Sequence, residues 1–547
     1  MTVLAGDAEE SRFRGRTARA RLTTQERNAD QSAGPSQPTE ESDHMEGVKF
    51  WLLMLTLAGV LVLSSIDMNI IATAVPSITD HFHTVADVGW YSSAFRLCQC
   101  SFQFAFGKAY KLFSIKRIFL LANVVSIGGS LVCGAANTSR MLIAGRAVAG
   151  VGSAGLISGC FVILVRTTPL RRRPMFTGMM GAVEGVSTLA APLLGGVLVQ
   201  SLGWRWCFYI NAPTGAITLL LTFFCLPDLS KSQDVVNMGV KEKLSQLDLL
   251  SNTLLIPALT ALFIAFSWAG TKYPWNTAPV IVPLVAFAFL MAAFIYNQVR
   301  RGAAATLPPH IMRRRSVLAG FIFVVASNST GNVLEYYLPT YYQVVRGYSP
   351  AESGYMMLPF VIAATVGALM HGFGTSIFGY YTPFMLFGSV MMPIAAGLMT
   401  TVKANTTLTQ VIVYTTLSGL GYGIGFSGPQ NAVQTVLPTE DIPIGTSILL
   451  FAQAFGPAVT IAIAQVLFIE QLVANLSDLV PGLSGANIEN LGLNQLMENV
   501  TPPNSEAASS AIDTSLTHTW YLAIGLACMT MVGSLLIEWK SVKSRRD

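Results

Sequence analysis

The sequence predicts an all-α polytopic membrane protein in which two six-helix bundles flank two extra central helices, fourteen transmembrane helices in total. Of the 547 residues, 52% are hydrophobic and only 12% are charged, whereas a soluble domain carries roughly 25% charged residues. Apolar windows of about 20 residues, enough to cross a hydrocarbon core as a helix, recur along the chain. Their order is six, two and six.

The apolar windows give the limits of each predicted span. The first six are 50–72, 88–106, 118–136, 141–164, 176–199 and 205–226, and the extra pair is 248–268 and 278–297. The last six are 316–338, 353–372, 381–401, 409–430, 445–468 and 519–537.

Polar stretches divide the chain into domains. Residues 1–45 carry six arginines and no sustained apolar periodicity, so they cannot bury enough surface to offset the entropy of ordering, and we expect a disordered tail. The predicted domains are an N-terminal bundle over 46–227, a linker with the two extra helices over 228–315 and a C-terminal bundle over 316–540. The last bundle includes a long outer loop, 471–518, and a second tail follows at 541–547.

Basic residues indicate the orientation. With the N-terminus in the cytoplasm, 27 of the 34 Lys and Arg residues fall in inner segments and five in outer ones, so both termini are predicted to be cytoplasmic. Asn475 and Asn499 belong to sequons in the predicted outer loop and are candidate glycosylation sites. We expect a multi-pass protein of the plasma membrane, with the vacuolar membrane as the open alternative.

One G-x-G-x-x-G pattern occurs in the fourth span of each half. The residues are Gly150, Gly152 and Gly155 in the first copy and Gly423, Gly425 and Gly428 in the second. A dinucleotide-binding loop needs a strand before it, a helix after it and an acidic residue about 20 positions later. Both copies instead lie inside long apolar runs, where small residues let helices approach closely. We interpret them as packing grooves.

Ionisable residues inside spans are the candidate functional groups, because they are costly in lipid and often mark an ion path. They are Asp67, Arg96, Arg146, Glu184 and Glu335. The depths of Asp67 and the two arginines overlap, so Asp67 can pair with either of them. We predict that Asp67, Arg146, Arg96 and Glu184 couple the protein to protons; for Asp67 and Arg146 a structural ion pair that locks two helices is the alternative.

A central substrate cavity is predicted, with Glu335 near its outer mouth. Its candidate residues are Glu335, Tyr336, Tyr337 and Gln430. For the two tyrosines an interfacial aromatic belt is the alternative, since tyrosine is enriched where lipid meets water.

Burial and a nearby arginine have opposite effects on the proton affinity of Asp67, and a change in access to water alters the balance between these effects. The proton occupancy of Asp67 can therefore follow the conformation.

Several segments carry motifs. They are "IDMNIIATAVPSI" (66–78), "RAVAGVGSAG" (146–155), "GVSTLAAPLLGG" (185–196) and "GWRWCFYINAPTGA" (203–216). These segments resemble signatures of the major facilitator superfamily, specifically its fourteen-helix drug:proton antiporter branch, and look most like fungal toxin and multidrug efflux pumps. The resemblance covers roughly residues 50–540.

The resemblance implies roles for particular residues. Asp67 stands at the proton-linked aspartate, Arg146 at the proton-transfer arginine, and the antiporter motif falls on Ala191, Pro192, Gly195 and Gly196. The loop "GKAYKLFSIKR" (107–117) is similar to the family's G-x-x-x-D-R-x-G-x-R-R loop in Gly107, Lys116 and Arg117. Lys111 stands where that loop has its aspartate.

The function implied is proton-driven efflux of a small organic molecule, such as a fungal secondary metabolite, toxin or drug, by rocking of two halves about a central cavity. A proton-coupled importer, for example of siderophores, and a non-transporting sensor with the same fold are the alternatives. We expect a monomer that binds its substrate and protons, and no nucleic acid. The histidines form no H-E-x-x-H motif, and no Walker A or G-x-S-x-G sequence occurs, so we expect no enzyme, no cofactor and no metal site.

Overall fold

The structure, a computed structural model, describes residues 47–84, 87–228, 238–269, 273–476 and 505–543. The predicted tail at 1–45, much of the predicted outer loop and the sequon at Asn499 lie outside these ranges. Within them the regular structure is helical, apart from two isolated β-bridges that pair Ala269 with Tyr273 and Tyr380 with Ser541.

The first half contains the six predicted spans. Its helices are α1 (Val48–Asn69), α2 (Ile71–Phe82), α3 (Val88–Leu112), α4 (Ile115–Gly134), α5 (Ser139–Thr167), α6 (Arg173–Ser201), α7 (Trp206–Tyr209) and α8 (Asn211–Cys225). Helices α1 and α2 together form the first span, and α7 and α8 the sixth. Side chains define two of the starts, because Ser114 and Thr138 accept hydrogen bonds from backbone N–H groups three residues later.

The remaining helices form the linker and the second half. The linker holds α9 (Val240–Gln246), α10 (Leu249–Trp268), α11 (Ala278–Arg301), a 3₁₀ turn (Gly302–Ala304) and α12 (Pro309–Met312). The second half holds α13 (Arg315–Thr340), a π-helical turn (Tyr341–Val345), α14 (Pro350–Met356), α15 (Leu358–Phe378), α16 (Thr382–Met399), α17 (Leu408–Phe426), α18 (Gly428–Val436), α19 (Ile442–Leu476) and α20 (Ser505–Leu536).

Eleven helical segments of the described chain are long and apolar enough to cross a membrane. Helices α3, α10 and α17 occupy the places of the three other predicted spans. The polytopic all-helical class is confirmed, whereas the count of fourteen stays a prediction.

Both ends of the described chain lie on one side of the bundle. The ring of Phe50 contacts Phe176 near the start of α6, and the neighbouring Met175 N–H donates to Ser376 at the end of α15. Three residues later, the Gly379 carbonyl accepts from Val542 N–H. We call this side the inner side and the opposite side the outer side; its assignment to the cytoplasm stays a prediction.

The glycines of both patterns pack helices closely, as predicted. A Cβ atom added at Gly150 would lie 2.3 Å from the Phe95 carbonyl oxygen of α3, and one at Gly152 would lie 2.3 Å from the Ser126 nitrogen of α4. In the second half, a Cβ atom at Gly423 would lie 2.0 Å from the Ala364 carbonyl oxygen of α15. The first pattern lies wholly within α5 and the second spans α17 and α18, so neither is a dinucleotide loop.

The two halves meet mainly along two helix pairs. Helix α6 contacts α15, where a Cβ atom at Gly178 would lie 2.6 Å from the Ala368 carbonyl oxygen. Helix α3 contacts α19, where a Cβ atom at Gly107 would lie 3.0 Å from the Pro443 carbonyl oxygen. These close approaches lie toward the inner ends of the helices, so the described halves are closed against each other on the inner side.

The extra helices differ in their surroundings. Helix α10 contacts both α3 and α19, and its Leu255 and Leu259 belong to an apolar cluster with Leu97 and Ile448 from those two helices. Helix α11 is largely exposed and packs mainly on α10. The pair is therefore peripheral only at α11, because α10 touches both halves.

The predicted outer loop 471–518 is shorter than expected. Helix α19 continues to Leu476 and α20 begins at Ser505 rather than near 519. Ala508, Ile512 and Leu516 are fully buried in an outer apolar cluster with Leu472, and their spacing of four places them on one helix face. This apolar stripe explains the longer helix.

Candidate functional site

A buried ion pair joins α1 to α5. Arg146 Nη1 lies 3.2 Å from Asp67 Oδ1 and also donates to the Asp67 carbonyl oxygen at 2.9 Å. Arg146 Nε donates to the Tyr91 carbonyl oxygen of α3 at 2.9 Å. The exposed fraction is 0% for Arg146 and 3% for Asp67. The structure therefore pairs Asp67 with Arg146 and not with Arg96.

Polar and aromatic groups complete the surroundings of the pair. Asn211 at the start of α8 donates to Asp67 Oδ1 at 2.9 Å and to Ser130 Oγ at 3.2 Å. The Arg146 guanidinium lies 4.4 Å from the centroid of the Phe95 ring, a distance typical of a cation–π contact. Loss of either charge would leave the other buried without its ion-pair partner, which is unfavourable.

A cavity of about 180 Å³ lies between the two halves. The first half contributes the polar side chains of Asn69, Arg96, Gln99, Gln103, Glu184 and Thr188. The second half contributes Asn328, Asn332, Glu335, Tyr422, Phe426 and Gln453, among others. Asp67 and Arg146 are not among its lining residues, so a molecule in this cavity would not touch the ion pair.

Charged side chains reach across the cavity. Gln453 Nε2 on α19 donates to Glu184 Oε1 on α6 at 3.1 Å. Arg96 on α3 and Glu335 on α13 also line the cavity from opposite halves, so their opposite charges attract each other across it. The hydrogen bond and this attraction each include one carboxylate and act between the two halves, so both must change when the halves separate.

The cavity has two chemically different walls. Its aromatic rings all come from the second half: Phe360 stacks with Tyr422 at 6.2 Å between centroids, and Phe426 lies 5.6 Å from Tyr422. The Tyr422 hydroxyl donates to Asn328 at 3.0 Å. We call these three rings the aromatic wall. The described lining of the first half has amide, hydroxyl and charged groups but no aromatic ring.

Among the four predicted cavity residues, Glu335 lines the cavity and three lie elsewhere. Tyr336 is 51% exposed, and Tyr337 is buried in the outer apolar cluster beside Phe468. Gln430 is buried and donates to Thr446 at 2.8 Å. An α-helix has about 3.6 residues per turn, so the neighbours of an inward-facing Glu335 point in other directions. This geometry corrects the prediction for Tyr336, Tyr337 and Gln430.

The residues of the antiporter motif lie on two faces of α6. Ala191 and Gly195 are buried, and a Cβ atom at Gly195 would lie 3.2 Å from the carbonyl oxygen of Ile70, between α1 and α2. Pro192 is exposed, and Gly196 has no atom within 4 Å of an added Cβ. Gly195 is therefore the part of the motif at which α6 packs closely against the first span, whereas Pro192 and Gly196 lie on the open face.

The structure adds Asn211, Gln453 and Tyr422 to the predicted residues. Each carries a polar group within an apolar span, which is the signal that could have identified them.

Asn475, the predicted glycosylation site within the described residues, lies in α19, and its Nδ2 donates to Ser515 at 2.9 Å. Among the described residues, no group of three or more His, Cys, Asp or Glu side chains is arranged to hold a metal ion.

Comparison with known proteins places the chain in a family. Residues 57–461 match the family described as Major Facilitator Superfamily. The chain belongs to the major facilitator superfamily. It is 39% identical to "MFS-type efflux pump MFS1" of Trichophyton rubrum over 93% of this chain and 95% of that protein. It is 38% identical to "Efflux pump roqT" of Penicillium rubens over 88% of this chain and 89% of that protein.

A solved major facilitator shares the fold. The proton:xylose symporter XylE covers 87% of this chain and 94% of its own, with a TM-score of 0.54 and 12% sequence identity. At this identity the likeness concerns the fold alone. Together with the apolar helices, family membership makes the chain a multi-pass membrane protein and confirms the resemblance drawn from its motifs.

Proposed function

We propose that this major facilitator exports a small organic molecule, such as a fungal secondary metabolite, toxin or drug, in exchange for protons by alternating access. The observation that carries the proposal is the cavity between the halves, which Glu184 and Glu335 line from opposite sides and where Glu184 accepts a hydrogen bond from Gln453 of the other half. Relatives of 38 to 39% identity that are named efflux pumps support the outward direction.

The ion pair of Asp67 and Arg146 is the proposed proton site. A proton that binds Asp67 removes the negative charge, so the 3.2 Å contact with Arg146 weakens. Arg146 keeps its hydrogen bonds to the carbonyl oxygens of Tyr91 and Asp67. Protonation therefore alters the attraction between α1 and α5 without releasing the arginine from the bundle.

The cavity carboxylates link this step to the cargo. Glu184 accepts a hydrogen bond from Gln453, and a cargo that donates a hydrogen bond to Glu184 would replace that contact between the halves. Arg96 and Glu335, which face the cavity from opposite halves, supply a second attraction between the halves. Cargo and proton then favour different arrangements of the halves, which is the requirement for exchange.

The walls of the cavity define the kind of cargo. The aromatic wall offers an apolar surface, and the first half offers convergent hydrogen-bonding groups that fix orientation. This combination suits a molecule with an apolar, ring-containing face and polar substituents. It is bound unchanged, since we propose transport without catalysis and no cofactor.

The proposed setting follows from the charge distribution. The excess of Lys and Arg in inner segments supports cytoplasmic termini, and we propose a monomer in the plasma membrane, the vacuolar membrane being the alternative location. In this setting the inner side of the structure faces the cytoplasm, so the closed inner side corresponds to a state that has turned away from the cytoplasm.

A metabolite comparison followed by a flux assay tests the proposal. Cells with and without the gene are compared for compounds retained inside, and the compound found is offered to inside-out vesicles that contain the protein. An acidic lumen should drive its accumulation, and collapse of the pH gradient with a protonophore should abolish it. Accumulation in the opposite direction would indicate an importer, and binding without flux would indicate a sensor; either result contradicts the proposal.

A further inference from the structure

The inner end of α3 carries two lysines, Lys108 and Lys111, that point toward different neighbours. They are three positions apart, so they lie on adjacent parts of one helix face. Lys111 stands where the resembling loop of the family has an aspartate, so its charge is opposite to that expected. Both lysines contact parts of the chain outside the first half.

Lys111 pairs with the second half. Its Nζ lies 2.6 Å from Oδ1 of Asp441, the residue directly before α19. The side chains are 26% and 16% exposed, so water still reaches the pair. His310 of the linker lies 4.0 Å from the other oxygen of Asp441. The ion pair of Lys111 and Asp441 joins the halves at the inner side, and water reaches it well enough for it to break and form again.

Lys108 is held by the linker. Its Nζ donates to the carbonyl oxygens of Ala305 at 2.8 Å, Ala304 at 3.2 Å and Ala303 at 3.5 Å. These carbonyls follow the C-terminus of α11, where the helix dipole favours a positive charge. Lys108 is only 3% exposed, so its ammonium group depends on these acceptors.

Asp248 at the start of α10 fixes the shape of that turn. Its carboxylate accepts from the Thr306 N–H at 3.2 Å and the Thr306 hydroxyl at 3.1 Å, and lies 3.3 Å from Arg301 Nε. Asn297 and Ser251 also donate to it. Asp248 is fully buried. The start of α10, the end of α11 and the turn at Ala303–Ala305 are thus tied together by one carboxylate.

We propose that the extra helix pair is part of the inner gate: the turn held by Asp248 anchors α3 through Lys108, and so positions Lys111 to pair with Asp441 and close the inner side. Lys108 is the permanent anchor, because it is buried. Lys111 is the latch that opens in each cycle, because it is partly exposed and its partner belongs to the other half. Lys108, Lys111 and Asp248 are positioning residues and do not touch the cavity.

This inference depends on alternation between two states and not on the direction of transport. It is tested without cargo, by pulsed electron paramagnetic resonance on the full-length protein with its native cysteines replaced. Spin labels at Arg171→Cys and Tyr380→Cys report the inner separation of the halves, since both residues are exposed on inner loops of different halves. Cargo flux is measured separately, so failure of the gate and failure of export give different results.

The latch predicts a charge-swap rescue. Lys111→Asp and Asp441→Lys should each raise the fraction of molecules with the longer inner distance at least threefold, because like charges then face each other. The double variant Lys111→Asp with Asp441→Lys should restore the wild-type distribution. Lys116→Met is the matched control, since this nearby lysine contacts Phe223 within the first half. Absence of rescue in the double variant would overturn the latch.

The anchor predicts that changes at Lys108, which does not touch Asp441, also shift the distribution toward the longer inner distance. Lys108→Met should raise the open fraction as Lys111→Asp does, and Lys108→Arg should retain most of the closed state. Asp248→Asn, which loosens the turn, should also shift the distribution and gives the decisive result if Lys108→Met does not reach the membrane. If Lys108→Met and Asp248→Asn both keep the wild-type distribution of inner distances, the extra helices are not part of the inner gate.

Discussion

At the scale of residues, Asp67 and Arg146 show what position along a helix can and cannot predict. They are 79 positions apart in the chain, and helix rise places them at overlapping depths. The choice between Arg96 and Arg146 depends on the rotation of α3 about its axis, which depth does not give. In the structure Arg96 faces the cavity and its neighbour Phe95 faces Arg146.

The same rotation decides which aromatic residues line the cavity. Tyr422→Ala should raise the KM of cargo export about tenfold, because a lost ring contact is worth about 1 to 1.5 kcal/mol. Tyr336→Ala is the matched control: this tyrosine follows Glu335 but is 51% exposed, so its loss should leave KM unchanged. Concentration-dependent flux measures both. Equal effects of the two substitutions would contradict the placement of the aromatic wall.

Glu184 gives a second prediction at this scale. Glu184→Gln cannot exchange a proton but can still contact Gln453, so cargo binding should persist and lose the part of its pH dependence that comes from Glu184, while the part that comes from Asp67 remains. Equilibrium binding of the exported compound, measured across a range of pH, checks this. The control is Glu440→Gln, an exposed residue on the inner loop before α19. A pH dependence in Glu184→Gln equal to that of the wild type would remove Glu184 from the coupling.

At the scale of elements, close helix packing can be read from glycine spacing in the sequence, but the partner helices cannot. Gly423→Ala should lower the free energy of unfolding by about 1 to 3 kcal/mol, because its Cβ would lie 2.0 Å from the Ala364 carbonyl oxygen. Gly397→Ala should be neutral or stabilising by about 0.4 to 1 kcal/mol, because nothing lies within 4 Å. Thermal unfolding in detergent distinguishes them. A Gly423→Ala variant as stable as Gly397→Ala would contradict the packing.

The carboxylate at the start of α10 predicts a pH dependence of stability. Burial alone would raise the pKa of Asp248, but hydrogen bonds from Ser251 and Thr306 and the charge of Arg301 outweigh it and hold the pKa below its ordinary value. Its stabilising contribution is therefore fully present above an ordinary pKa of about 3.9 and is lost as pH falls through the lower, folded-state value.

Asp248→Asn tests this contribution. The variant should be less stable than the wild type at about pH 7, and the difference should shrink as the pH falls below about 4. Unfolding midpoints measured at several pH values check it. Asp228→Asn is the control, since Asp228 is exposed and does not belong to the group of side chains around Asp248. A difference that stays constant over this pH range would mean that the charge of Asp248 contributes nothing.

At the scale of the whole molecule, composition and the lengths of apolar runs are enough to predict a helical membrane protein with repeated halves. Two features of the structure could not be predicted in this way. The stripe of Ala508, Ile512 and Leu516 lies among polar residues, so a window average hides the start of α20. Helix α10 is apolar around its circumference, so no face of it indicates that it touches both halves.

The cavity also belongs to this scale, because it exists only between the halves. Its carboxylates could be predicted from their cost in lipid, whereas Gln453 and the aromatic wall required the arrangement of α15, α17 and α19 around the cavity. The assignment of the inner side to the cytoplasm rests on the distribution of basic residues and stays a prediction.

The most direct test of the account is counterflow in proteoliposomes that contain either the wild type or Asp67→Asn, with Asp80→Asn as an exposed control on α2. The account predicts that the wild type and Asp80→Asn move the exported compound uphill when a pH gradient is imposed. In Asp67→Asn the uphill flux should be at least tenfold lower than in the wild type, whereas the exchange of cargo for cargo across the membrane should persist. Uphill flux of wild-type size in Asp67→Asn, at equal amounts of inserted protein, would contradict proton coupling through the pair of Asp67 and Arg146.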